Sequence, residues 1–143
     1  MPKIQQLSIF LENKPGRLAE VTSTLTKGGI NMHALSLADT SDFGILRLIV
    51  SDSAKARDLL KQNGFTVSLT TVIALEMSHN PGGLNDVLQI FKENDVNIEY
   101  MYAFVHNHTA ATLVFRTDDG DKAIKILNEN KIRLLTEAEI LKM

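Results

Sequence analysis

The chain has 143 residues, 44% of them hydrophobic and 22% charged, with a formal net charge of −2. This composition excludes a long disordered chain, and the charge balance excludes the broad basic face of a non-specific nucleic-acid binder. There is no cysteine, so disulfides, thiolate zinc sites and cysteine nucleophiles are excluded as well.

Met1-Pro2-Lys3-Ile4 opens the chain without an apolar segment behind a basic start. No apolar run approaches the roughly 20 residues that span a bilayer. The expectation is a soluble, cytoplasmic protein with no membrane partner. Ile4 to Leu11 reads as a strand, with Leu7, Ile9 and Leu11 alternating against Gln6 and Ser8. Pro15 then stands where a first helical residue is favoured. Leu18, Val21, Thr22 and Leu25 follow at helical spacing, and Gly28-Gly29 supplies the stop. Met32 to Leu37 is a second strand, Thr40-Ser41-Asp42 a turn, and Gly44 to Val50 a third, apolar strand. Ser53 to Asn63 is a second helix with Ala56, Leu59 and Leu60 inward. Gly64 ends it, and Phe65 to Leu69 is a fourth strand.

The order then repeats. The predicted elements are Val72–Met77, Gly82–Asn94, Ile98–Val105, Thr112–Arg116, Asp121–Asn130 and Ile132–Leu135. The apolar spacing of Ala138, Ile140 and Leu141 predicts a last helical turn. Pro15 and Pro81 set an offset of 66 residues. The same offset carries Leu18 to Leu84, Val21 to Val87, Ile30 to Val96, Asn31 to Asn97 and Ser51-Asp52 to Thr117-Asp118. A register held across most of each half is a duplication, and a period this long is not that of a solenoid. Two small domains are expected, residues 1–70 and 71–143, with no Pro/Gly/Ser-rich linker between them. Each has the order β-α-β-β-α-β, an α+β, ferredoxin-like pattern with an antiparallel sheet and both helices on one face.

In each half a Pro-Gly turn joins the first strand to the first helix: Asn13-Lys14-Pro15-Gly16-Arg17 and His79-Asn80-Pro81-Gly82-Gly83. The first N–H groups of a helix lack internal partners, and with the helix dipole they suit one carboxylate. Glycine lets a ligand approach the backbone closely. Asn31 and Asn97 open the second strands, and an amide both accepts from an ammonium group and donates to a carboxylate. This pattern suits a free α-amino acid if the Asn lies near the turn, as expected. The plainer reading is that Pro-Gly only starts a helix.

These residues resemble the ACT domain, in two tandem copies covering essentially the whole chain. The signature is a strand, Asn-x-Pro-Gly-x-Leu, a helix, then Gly-Ile-Asn and a strand. Asn13-Lys14-Pro15-Gly16-Arg17-Leu18 and Gly29-Ile30-Asn31-Met32 fit it well, Asn80-Pro81-Gly82-Gly83-Leu84 and Asp95-Val96-Asn97-Ile98 less closely. Asn97-Ile98-Glu99-Tyr100-Met101-Tyr102-Ala103-Phe104 is similar to a segment of stand-alone tandem ACT proteins of prokaryotes. The resemblance implies a non-enzymatic regulator that needs no cofactor and binds a free amino acid at an interface between ACT units. It also implies a homodimer that controls an enzyme of amino-acid metabolism or transcription. By position, Asn13, Pro15, Gly16, Arg17, Leu18 and Asn31, with Met32 and His33, form one site. His79, Gly82, Gly83, Leu84, Asn97 and Ile98 form the other. There His79 replaces the Asn of the first turn, and Asn80 replaces its basic residue.

Other features point elsewhere less well. His106-Asn107-His108 offers two imidazoles without a third metal ligand nearby and reads as a hairpin tip. Tyr100, Met101 and Tyr102 suit a sheet face as well as a ligand side chain. Asp118-Asp119-Gly120-Asp121 lacks the spacing of a calcium loop and suits helix capping. No Walker loop, nucleophile elbow or HExxH is present. A ligand-free interaction scaffold and an enzyme on the same fold are the competing readings.

Overall fold

The structure, a computed structural model, describes residues 2–39, 42–105 and 108–143. Thr40 and Ser41 of the predicted turn, and His106 and Asn107 of the hairpin tip, lie outside them. The chain divides into two compact units, one of Gln5–Thr70 and one in which the opening residues join Thr71–Met143. Each unit has the β-α-β-β-α-β order, an antiparallel sheet and its helices on one side.

In the Gln5–Thr70 unit the elements are β1 (Lys3–Glu12), α1 (Arg17–Lys27), β2 (Met32–Asp39), β3 (Phe43–Val50), α2 (Ser53–Gln62) and the start of β4 (Thr66–Ser78). The strand order is β2-β3-β1-β4, leaving β2 at an edge. Leu7 pairs with Leu48 and Ile9 with Leu46, so alternate residues of β1 and β3 share the helix-facing side. There they bury with Val21 and Leu25 of α1 and Ala56 and Leu60 of α2. Gln6, expected among the outward positions of the first strand, is 0% exposed. Its amide donates to Ser8 Oγ at 3.2 Å, and Ser8 Oγ shares a 3.0 Å bond with Thr70 Oγ1. A polar side chain is tolerated inside because it is hydrogen-bonded.

The second unit contains the rest of β4, then α3 (Gly83–Glu93), β5 (Tyr100–Val105), β6 (Ala110–Arg116), α4 (Gly120–Glu129), β7 (Leu134–Leu135) and α5 (Glu137–Leu141). Its order, β5-β6-β4-β7, is the same as in the first unit. Ile73, Leu75, Leu113 and Phe115 of the sheet bury with Val87 and Phe91 of α3 and Ala123 and Leu127 of α4. The opening residues belong here, and Lys3 Nζ pairs with Asp121 Oδ1 at 2.9 Å.

Three expectations need correction. The fourth strand of the first half and the first of the second are one continuous strand, β4. Thr70 and Thr71 are β-branched and extended, and nothing between Thr66 and Ser78 breaks a ladder. Pro15 lies in a turn ahead of α1. The helix starts at Arg17, after Gly16 at φ 89°, a left-handed conformation that glycine adopts without penalty. Likewise α3 starts at Gly83, after Gly82 at φ 92°.

The four long helices stop in one way. The N–H two residues past the cap bonds back to the carbonyl at the start of the last turn: Ile30 to Leu25, Phe65 to Leu60, Val96 to Phe91 and Ile132 to Leu127. This arrangement needs a left-handed residue. The first unit supplies Gly29 and Gly64, whereas the second uses Asp95 and Lys131, both at φ 59°. Lys131→Gly is therefore expected to raise stability by about 1 kcal/mol, read as a higher denaturation midpoint with unchanged cooperativity.

The tail forms the expected helical turn. Thr136 caps α5 by accepting from the Glu139 N–H, while Glu139 accepts from the Thr136 N–H. Arg133 bridges Glu139 to Glu76 on β4, and Ile140 is buried. The Thr136 backbone N–H is the main cause holding the Glu139 carboxyl below its usual 4.5; desolvation opposes it, and Arg133 assists. A depressed carboxyl favours folding above its unfolded value and loses that contribution as pH falls through the lower folded value. Protection of the Ile140 amide against hydrogen exchange, scaled to the intrinsic rate, is thus expected to hold from pH 7 to about 5 and fall below about 4.5. Glu139→Gln is expected to flatten that dependence.

Candidate functional site

The first turn is built by the end of β1 and the start of α1. Asn13 donates its N–H to Asp42 O at 2.9 Å, which holds the end of β1 against the chain leading into β3. Lys14 N–H bonds to Glu12 O at 2.9 Å, and Arg17 N–H reaches Lys14 O at 3.4 Å. Gly16 accepts the Glu20 N–H at 3.0 Å, and no side chain caps the helix. The front of α1 therefore presents its own backbone donors and the positive end of its dipole. Open space surrounds the place where a Cβ on Gly16 would stand.

Arg17 is a clamp at this turn. Its guanidinium carbon sits 4.5 Å from the centre of the Phe65 ring. It pairs with Glu20 at 2.6 Å and approaches Glu12 at 3.9 Å. Its charge is met by two carboxylates and an aromatic face, and its side chain is only 20% exposed. Its buried Nε has no hydrogen-bond partner among the described residues. Arg17 thus braces the turn against the residue that leads into β4.

Two cavities border the turn. One, of about 90 Å³, is lined by Leu11, Glu12, Asn13, Lys14, Leu18, Leu37 and Gly44. Three leucines give it an apolar wall, with a carboxylate, an amide and an ammonium group close by. The other is an open groove of about 480 Å³ between α1 and α2, running from Gly16 to Gly28 over Leu59 and Phe65.

Asn13 and Leu18 thus meet at the smaller cavity, and Gly16 borders the groove. Asn31, Met32 and His33 do not join them. The expectation that Asn31 lies near the turn of its own unit is corrected by the strand register. Asp39 pairs with Gly44, which pairs with Leu11 beside the turn, whereas Met32 pairs with Val50 at the far end. Helix α1, with 11 residues, separates the two ends by about 16 Å. At that far end Asn31 bonds twice to Ser51, donating its N–H to the side-chain Oγ at 3.0 Å and accepting the Ser51 N–H at its carbonyl at 2.9 Å. Its side-chain amide lies 3.4 Å from His33 Nε2. Met32 packs against the core.

The second turn repeats the backbone. Gly82 has φ 92° and ψ −11°, against 89° and −17° at Gly16. His79 N–H bonds to Thr109 O at 3.0 Å, and Gly83 N–H to Asn80 O at 3.0 Å. Leu84 and Ile98 pack against the core. Asn97 lies beyond the Tyr100–Arg116 pair, again at the far end of the sheet from its turn. The residues that sequence reasoning passed over are Leu11, Glu12, Lys14, Leu37 and Gly44, which line the cavity, and Phe65 beneath Arg17. A three-element wall leaves no local signature, but the exposed Leu37 on an edge strand is a trace of it.

A sequence model of the ACT domain pair matches residues 2–143. A crystal structure of a protein from Bacteroides thetaiotaomicron is 46% identical, with a TM-score of 0.94 over 99% of this chain and 98% of that one. The chain belongs to the ACT domain pair family. The fold of this ACT pair also matches the ligand-free regulatory subunit of aspartate kinase from Thermus thermophilus. That match has 14% identity and a TM-score of 0.64 over 87% of this chain and 91% of that one. Aspartate kinase from Synechocystis is matched over 90% of this chain but 25% of its own length, at 15% identity and a TM-score of 0.58. No curated protein matches. Among the described residues of the ACT pair, no group of three His, Cys, Asp or Glu side chains is placed to hold a metal ion. Among the described residues, no helix is long and apolar enough to cross a membrane.

Proposed function

We propose that this ACT pair is a non-catalytic regulator that binds a free amino acid and passes its occupancy to an enzyme of amino-acid metabolism or to transcription. The observation that carries the reading is the glycine turn, built twice with one backbone, each copy presenting uncapped helix N–H groups. At the first turn these donors stand beside Asn13 and an apolar cavity. Donors for a carboxylate, an amide for an ammonium group and an apolar wall for a side chain are what an α-amino acid requires. The relatives named as regulatory subunits of aspartate kinase support this reading at the level of fold.

The ligand lies at an interface between two copies of the chain. Asn31 is about 16 Å from the turn of its own unit, so it grips a ligand there only from another copy. β2 is an edge strand on which Leu35 is 61% and Leu37 49% exposed. An apolar edge of this kind calls for cover. A second chain on β2 closes the cavity over Leu37 and makes a homodimer.

The test is a thermal-shift screen of the twenty amino acids at about 10 mM, with calorimetry on any that act. A ligand at a hundred times its dissociation constant stabilises by about 2.7 kcal/mol, several degrees for a chain of this size. Asn13→Ala and Asn31→Ala are each expected to weaken binding by tenfold or more while the unliganded midpoint stays within 2 °C, about 1 kcal/mol or less. A flat screen on well-folded protein would leave the scaffold reading.

A further inference from the structure

The two turns share a backbone, and open space surrounds a Cβ position on Gly82 as on Gly16, but they differ one residue further on. An ideal Cβ placed on Gly83 would stand 2.1 Å from the Ser78 carbonyl oxygen and 2.9 Å from its Oγ. The start of α3 is therefore seated directly on the end of β4. The matching residue of the first unit is Arg17, which carries a full side chain, so α1 must stand further off the end of β1. The next residue shows the same difference. Leu84 packs against its core, whereas Leu18 remains 41% exposed and lines the 90 Å³ cavity. Gly44 pairs with Leu11, and Ala111 pairs with Met77 in the second unit; Ala111 therefore matches Gly44 and brings a methyl group to the wall where the first unit has none.

We propose that each chain takes one amino acid, at the Gly16 turn, and that the second turn is structural, closed where Gly83 seats on Ser78. This rests on the amino-acid reading above and narrows it. A ligand head group needs room between strand end and helix start as well as backbone donors. In the second unit Ser78 and Gly83 already touch there, and Leu84 has turned inward. The duplicated turn is kept in the second unit because it starts α3, and the space is kept only in the first.

The test uses the full-length, ¹⁵N-labelled protein and each of the twenty amino acids at about 10 mM. The expected result, for an amino acid that binds, is saturating movement of the amide signals of Asn13–Leu18, with those of His79–Leu84 fixed. Calorimetry then gives one site per chain. Gly44→Ala, which copies the methyl of Ala111, is expected to weaken binding at least tenfold, and Ala111→Gly to leave it unchanged. Saturating shifts at Gly82–Leu84, or two sites per chain, would overturn the single-site assignment and leave the amino-acid reading standing. No movement at either turn with any of the twenty would overturn both. The shift measurement on the unaltered protein decides the matter even if Gly44→Ala fails to fold.

Discussion

Gly83→Ala is expected to lower the thermal midpoint by about 10 °C, corresponding to about 3 kcal/mol for overpacking a site that cannot yield. The opposing atom is a backbone oxygen at 2.1 Å, and it belongs to a strand laddered to β6, so it cannot rotate aside as a flexible side chain would. Gly16→Ala is the control. There the added methyl meets open space, and only the left-handed backbone opposes it, at about 1 to 2 kcal/mol. Calorimetry on the two variants separates a steric from a conformational role for glycine. Equal losses would mean that α3 slides off β4 at little cost.

Phe91→Ala and Phe115→Ala are each expected to destabilise by about 3 to 5 kcal/mol. Both rings are fully buried, their centroids 5.1 Å apart and their planes inclined at 54°. Each single change leaves a cavity and removes the aromatic pair, so the pair is lost twice in the sum of the singles. The double variant should therefore lose about 1 kcal/mol less than that sum. Denaturant titration reads all three losses, provided the slope is unchanged. An additive result would show that the rings contribute only through the volume they fill.

The duplication, the element order and the inward faces of the helices were legible because they rest on periodicity. Leu7, Ile9 and Leu11 alternate, Ala56 and Leu60 recur at helical spacing, and the core is made of them. Helix stops were legible where glycine marks them, at Gly29 and Gly64, and less so where Asp95 and Lys131 adopt the same conformation. The fusion of two strands into β4 left no mark, since extended β-branched residues read alike in one strand or two. At the site, the turn was visible as Pro-Gly, but its cavity was not, because Leu11, Leu18 and Leu37 come from three elements. The distance of Asn31 from that turn depends on register. Hydrophobic pattern assigns a strand to a face without saying which of its ends lies beside another loop.

The placement of the opening residues with Thr71–Met143 bears on the order in which the protein is completed. Lys3 meets Asp121, a residue translated more than a hundred positions later. At about 5 to 20 residues per second, the ribosome takes roughly 6 to 24 s to cover that interval. Once Thr70 has been added, Gln5–Thr70 has all the residues of its own core, while the fully buried Ile4 still lacks the unit it belongs to. Residues 2–4 are synthesised well before their native partners, and for those seconds they form a short extended segment open to chaperones.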